Sequence, residues 1–146
     1  MRALPSSVLL VMAVMVPACE SKPSTQTSRA SWSAAGTLWA EQMAKALPEP
    51  FCRDTMYFRT CFKISEQDCR TMTTAQIEAC LDRHPDIVPK DVNRQTGQAA
   101  GNRLGTCAGE GLESALRRQG KFTGAAHCND LEYWRREAQK IEQGFK

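Results

Sequence analysis

Apolar positions divide the chain into regions of different character. Val8 to Val16 is an unbroken apolar run of nine residues, whereas Glu20 to Ser31 is polar and has no apolar period. From Trp32 onward apolar positions recur at three- and four-residue steps, the period of a helix with one buried face. Trp32, Ala35, Trp39, Met43 and Ala46 form the first such stripe, with Ser31 or Ser33 as its cap and Pro48 with Pro50 as its stop. Phe51 to Cys61 predicts a second, short helix. Ser65-Glu66-Gln67-Asp68 and Thr73-Thr74-Ala75-Gln76 both have capping-box form, so Ser65 to Arg83 predicts one helix or two with a seam near Thr73. His84-Pro85 ends that segment. Pro89 suits the first turn of a long helix running to about Gln119, with Gly120 as its stop. Cys128, Leu131, Trp134, Ala138, Ile141 and Phe145 step by 3, 3, 4, 3 and 4 and predict a final amphipathic helix opening near Asn129 or Asp130. No alternating stretch is long enough for a strand. The expected fold is all-α, a small disulfide-bridged bundle of four to five helices.

The apolar run near the start is not part of that bundle. A spanning helix needs about 20 apolar residues, and nine behind Arg2 fit the hydrophobic region of a signal peptide. The run ends in Val16-Pro17-Ala18-Cys19, which resembles the lipobox of bacterial lipoproteins. The resemblance covers the first 19 residues. It implies that the peptide is cut before Cys19, that the Cys19 thiol carries diacylglycerol, and that the new amino terminus is acylated, with palmitate the expected type of chain. Val16 and Ala18 also satisfy an ordinary secretory cut, which would leave Cys19 as a free thiol. In the lipoprotein class aspartate after the cysteine favours the inner membrane; Glu20 stands there instead, and the expected location is the outer membrane. The organisation is then residues 1–18 as signal peptide, 19–31 as lipidated cysteine and flexible tether, and 32–146 as one helical domain. A polar tether of that length spans roughly 20 Å on average.

Cysteine arithmetic supports an exported chain. Seven is an odd number; lipidating Cys19 leaves Cys52, Cys61, Cys69, Cys80, Cys107 and Cys128, enough for three bridges in an oxidising compartment. Cys69 and Cys80 share a face of one helix but lie about 16 Å apart along it, too far to bond each other. The preceding segment supplies Cys52 and Cys61, which suggests a hairpin bridged Cys61–Cys69 near its turn and Cys52–Cys80 at its open end, leaving Cys107–Cys128. This resembles the twin-cysteine hairpin of coiled-coil-helix domains in spacing logic. Cys52 and Cys61 are nine residues apart, about half a turn out of phase, so one of them must leave the helix. No Cys-x-x-Cys motif exists for redox catalysis, and no Cys-x-x-Cys-His for covalent haem.

Composition narrows the function classes. Charged residues make up 24% with the signs mixed, and the formal net charge is +3, so neither a disordered tail nor a nucleic-acid partner is expected. His84 and His127 are too few and too far apart in sequence to suggest a metal centre, and no cofactor is expected. No Gly-x-Ser-x-Gly, phosphate loop or His-Glu-x-x-His is present, so no enzyme activity is expected. Arg117-Arg118 with Lys121, and Arg135-Arg136, read as solvated helix faces. The unusual feature is a ladder of Gly97, Gly101, Gly105 and Gly109 at four-residue spacing, each costing about 1 kcal/mol relative to alanine in a helix interior. It overlaps the apolar face that carries Ala100, Leu104, Ala108 and Leu112. It reads as a close contact with a neighbouring helix, as a groove for a partner's helix, or as a break near Gly105 to Gly111. The functional expectation is a lipid-anchored interaction protein with a membrane attachment and an envelope protein partner, a structural or assembly component of a secretion, pilus or motility machine. The alternative is an inhibitor or immunity protein acting on a periplasmic enzyme or toxin.

Overall fold

The computed structural model describes Arg29 and residues 31–144, excepting the side chains of residues 138 and 141–144. Cys19 and the signal segment lie outside the described residues, as do Phe145 and the side chains of Ala138 and Ile141 in the last stripe. The fold is all-α. Six helices occur among the described residues: α1 Ala34–Ala46, α2 Pro48–Cys52, α3 Tyr57–Cys61, α4 Glu66–Arg83, α5 Arg94–Arg118 and α6 Leu131–Gly144. Short 3-10 turns at Pro85–Ile87 and Ala126–Asn129 lead out of α4 and into α6. No helix among the described residues is long and apolar enough to cross a membrane.

Local chemistry accounts for most boundaries. Ser33 caps α1, its hydroxyl accepting the Gly36 amide at 3.0 Å. Pro48 occupies the first turn of α2, where a missing N–H costs nothing, so it starts a new helix as well as ending the old one. Ser65 caps α4, which runs unbroken through Thr73. The Thr73 hydroxyl satisfies itself on the Cys69 carbonyl at 2.8 Å, so it does not compete for a cap. The long helix begins later than Pro89 predicts. Asn93 and Thr96 form a reciprocal capping box, and Pro89 lies in the link before it. Gly120, at φ +66, ends that helix as predicted.

Helices α4 and α5 pack along each other and form the spine. Cys69, Thr73, Ile77, Cys80 and Leu81 are the buried face of α4; Ala100, Leu104, Ala108, Leu112 and Leu116 are that of α5. One apolar cluster joins this spine to Trp39 and Ala40 of α1 and to Ile87 and Val88. A second, aromatic cluster joins it to Phe58, Phe62 and Ile64. Phe62 and Phe122 form an isolated antiparallel bridge.

All six cysteines of the domain are bridged, but the pairing differs from the spacing argument. The bonds are Cys52–Cys69, Cys61–Cys128 and Cys80–Cys107, in place of Cys61–Cys69, Cys52–Cys80 and Cys107–Cys128. The hairpin does not form because the chain turns to extended backbone at Arg53. Cys52 and Cys61 therefore end separate one-turn helices and face different partners. Cys69 and Cys80 do share the buried face of one helix, as expected, but each reaches a different element. Cys69 holds α2, and Cys80 holds the middle of α5.

Candidate functional site

The long helix supplies a polar pair on the face that looks toward the aromatic cluster. Glu113 and Arg117 are one turn apart on α5, and Arg117 Nε donates to Glu113 Oε1 at 2.7 Å. Tyr57, at the start of α3, donates its hydroxyl to the same oxygen at 3.1 Å. Burial, and then the neighbouring Glu113, push the Tyr57 phenol above its ordinary value. The guanidinium of Arg117 lies 4.0 Å from the centroid of the Phe122 ring, a cation–π position. Its hydrogen bond to Glu113, above all, raises the affinity of Arg117 for its proton.

Asp130 caps α6, its carboxylate accepting the amides of Glu132 and Tyr133 at 2.9 and 3.0 Å. That cap sets Trp134 edge-on to Tyr57, with ring centroids 5.3 Å apart. Tyr57, Glu113, Arg117, Cys128, Asn129, Leu131 and Trp134 together line a cavity of about 410 Å³. Among the described residues the buried Trp134 Nε1 has no hydrogen-bond partner, and Leu131 at the wall is 79% exposed. The lining of the cup thus includes two aromatic side chains and the hydrogen-bonded trio of Tyr57, Glu113 and Arg117. A hollow of about 550 Å³ between Arg83, His84, Asn102 and Arg103 has no phenylalanine, tyrosine or tryptophan in its lining.

The glycine ladder lies elsewhere. The helix carrying it is continuous, and large side chains of α1 and α2 fill the face rather than an approaching backbone. A β-carbon at Gly97 would stand 3.4 Å from Trp39 Nε1, one at Gly101 3.7 Å from Met43 Sδ, and one at Gly109 3.2 Å from Phe51 Cε1. Gly105 faces nothing within 4 Å. Of the residues singled out in the sequence, Cys128 lines the cup, together with Arg117, Asn129, Leu131 and Trp134, which the sequence marked only as helix-face, helix-start or apolar-stripe positions. The Glu113/Arg117 spacing was a readable signal, since residues four apart on a helix are neighbours. Tyr57 carried no such signal, and the stripe that holds Trp134 marked a buried face without showing that it meets Tyr57, because the two reach the cup from separate elements.

Comparison with known proteins gives one family. A family model described as T2SS substrate NttA, T2SS denoting the type II secretion system, matches residues 34–119. No curated protein and no solved structure matches the chain. The matched region runs from α1 to the end of α5 and holds five of the six bridged cysteines. Cys128 and α6, which complete the cup, follow it.

Proposed function

Because the chain belongs to the T2SS substrate NttA family, we propose that it is an exported interaction protein, cargo of a type II secretion system, that binds its partner through the cup between α3, α5 and α6. A helical body stapled by three bridges suits a protein that works where thiols oxidise. The observation that carries a binding role is the composition of the cup. Its charged groups are paired with one another, Arg117 with Glu113, and the Tyr57 hydroxyl donates to the same carboxylate. We further propose that Cys19 carries lipid and holds the exported body at the outer membrane, with the polar segment after it as a tether. The tie to the secretion machine is then that of cargo, not of a fixed assembly part.

The test follows a tagged chain in a strain with a working type II system and in one lacking it. The expected result is wild-type protein on the cell surface, open to added protease, only where the system works, and Cys19→Ala released into the medium by the same strain. Equal distribution in both strains overturns the cargo reading. A mature-sized Cys19→Ala band that still sediments with membranes overturns the lipid anchor. Trp134→Ala should weaken partner capture by the secreted protein at least tenfold; undiminished capture overturns the assignment of the cup.

A further inference from the structure

Beside the cup, where Cys128 forms part of the lining, the Cys61–Cys128 bridge has an imidazole next to it. Sγ of Cys61, Sγ of Cys128 and a ring nitrogen of His127 all lie within 4.8 Å of one another. Cys61 is fully buried and Cys128 is 4% exposed. His127 Nε2 is buried and has no hydrogen-bond partner among the described residues, which is unusual for a ring nitrogen shut away from water. The imidazole is held in place by neighbouring rings, with centroids 5.3 Å from Tyr133 and 6.1 Å from Trp134. Neither of the other two bridges belongs to such a group among the described residues.

We propose that this corner is a redox-exchangeable zinc site: closed as a disulfide, and, once reduced, holding one Zn²⁺ on the Cys61 and Cys128 thiolates and the His127 imidazole. The reductant is a dithiol. It gives up two hydrogens and closes to its own disulfide, while the Cys61–Cys128 bond opens and each sulfur gains one hydrogen. Zn²⁺ then replaces the two thiol protons, which leave to solvent. Zinc bonds of about 2.3 Å to sulfur and 2.0 Å to nitrogen place these tetrahedral ligands about 3.5–3.8 Å apart. Ligand atoms already within 4.8 Å need only small movements once the bond is open. Two thiolates, one divalent cation and a neutral imidazole sum to zero charge, which suits a buried corner where an isolated charge would be costly. Cys128 lines the cup, so the cup supplies an entry path and an open fourth position. The metal would then do the bridge's work, holding the turn before α6 against α3.

The test uses the whole chain carrying Cys19→Ser, reduced with dithiothreitol, freed of it without air, and titrated with Co²⁺ as a probe for Zn²⁺. The expected result is a thiolate-to-cobalt charge-transfer band and the visible bands of tetrahedral cobalt, saturating at one equivalent and displaced by Zn²⁺. His127→Ala should weaken binding at least tenfold, and Cys52→Ala/Cys69→Ala should leave it unchanged. A second variant, Cys61→His, is made without reductant so that the other two bridges stay closed. It should bind one Co²⁺ with a weaker charge-transfer band. Where the fully reduced chain loses its helical circular dichroism, Cys61→His decides. The proposal is overturned by the absence of cobalt binding in that variant, or by a folded reduced protein whose cobalt spectrum is indifferent to His127→Ala.

Discussion

Gly36 and Val88 approach so closely that a β-carbon on Gly36 would stand 2.9 Å from Val88 Cγ1. The carbonyl oxygen of Pro89 at 3.1 Å and Ser33 Oγ at 3.2 Å close the remaining space. The Ser33 hydroxyl also donates to the Lys90 carbonyl at 3.0 Å. Together these contacts clamp the start of α1 onto the link that leads to α5.

Gly36→Ala should therefore destabilise the protein by about 1–3 kcal/mol through overpacking, outweighing the gain of about 1 kcal/mol in helix propensity. Gly105, with nothing within 4 Å, is the opposite case. Gly105→Ala should stabilise by about 0.5–1 kcal/mol. Denaturant unfolding of both variants checks the pair. A neutral Gly36→Ala would mean that the link gives way, and a destabilised Gly105→Ala would mean that its face is covered.

Peptide mapping of the non-reduced protein should recover Cys52 with Cys69, Cys61 with Cys128 and Cys80 with Cys107. The Cys61–Cys128 bond spans 67 residues and the Cys52–Cys69 bond 17. By chain entropy the longer loop contributes about 4 kcal/mol and the shorter about 3. Cys61→Ala/Cys128→Ala should accordingly lower the unfolding free energy more than Cys52→Ala/Cys69→Ala. The reverse order would point to native-state packing as the larger effect.

The raised Tyr57 phenol gives alkaline pH a defined effect. The folded protein keeps this proton where the unfolded chain, with an ordinary value of 10.0, releases it. The resulting stability is complete below that value and is lost as pH climbs through the folded one. Tyr57→Phe should flatten the alkaline fall in melting temperature. A slope unchanged by Tyr57→Phe would show that other groups cause it.

Thr73 is fully buried, and its hydroxyl donates to the Cys69 carbonyl. Thr73→Val removes that donor yet orphans nothing, because the carbonyl keeps its helical partner. The expected cost is about 1 kcal/mol or less. Thr73→Ala opens space between α4 and the bridged Cys52, whose sulfur lies 3.5 Å from the hydroxyl, and should cost more. Melting curves of the two variants separate the bond from the packing.

The sequence by itself determined most of the helices, though not the break at Arg53 that splits the one expected over Phe51 to Cys61, nor the start of α5 at Arg94. Periodic apolar stripes, serine and asparagine caps, and Gly120 act over a few residues, so their effects are legible locally. Ser33, Ser65 and Gly120 do what their chemistry predicts. The requirement that Cys69 and Cys80 find partners elsewhere was likewise a matter of helix rise alone. Which partners they found was decided by tertiary structure. The break at Arg53 turns Cys52 and Cys61 to different neighbours, and no local rule sets the direction in which two one-turn helices point. The glycine ladder shows the same division: its spacing marked a packed face, but only the fold shows that Trp39, Met43 and Phe51 fill it. The cup is the most nonlocal feature. Tyr57, Arg117 and Trp134 meet only after three helices have packed, and the loop-closure entropy of bringing them together is offset by contacts that no single segment contains.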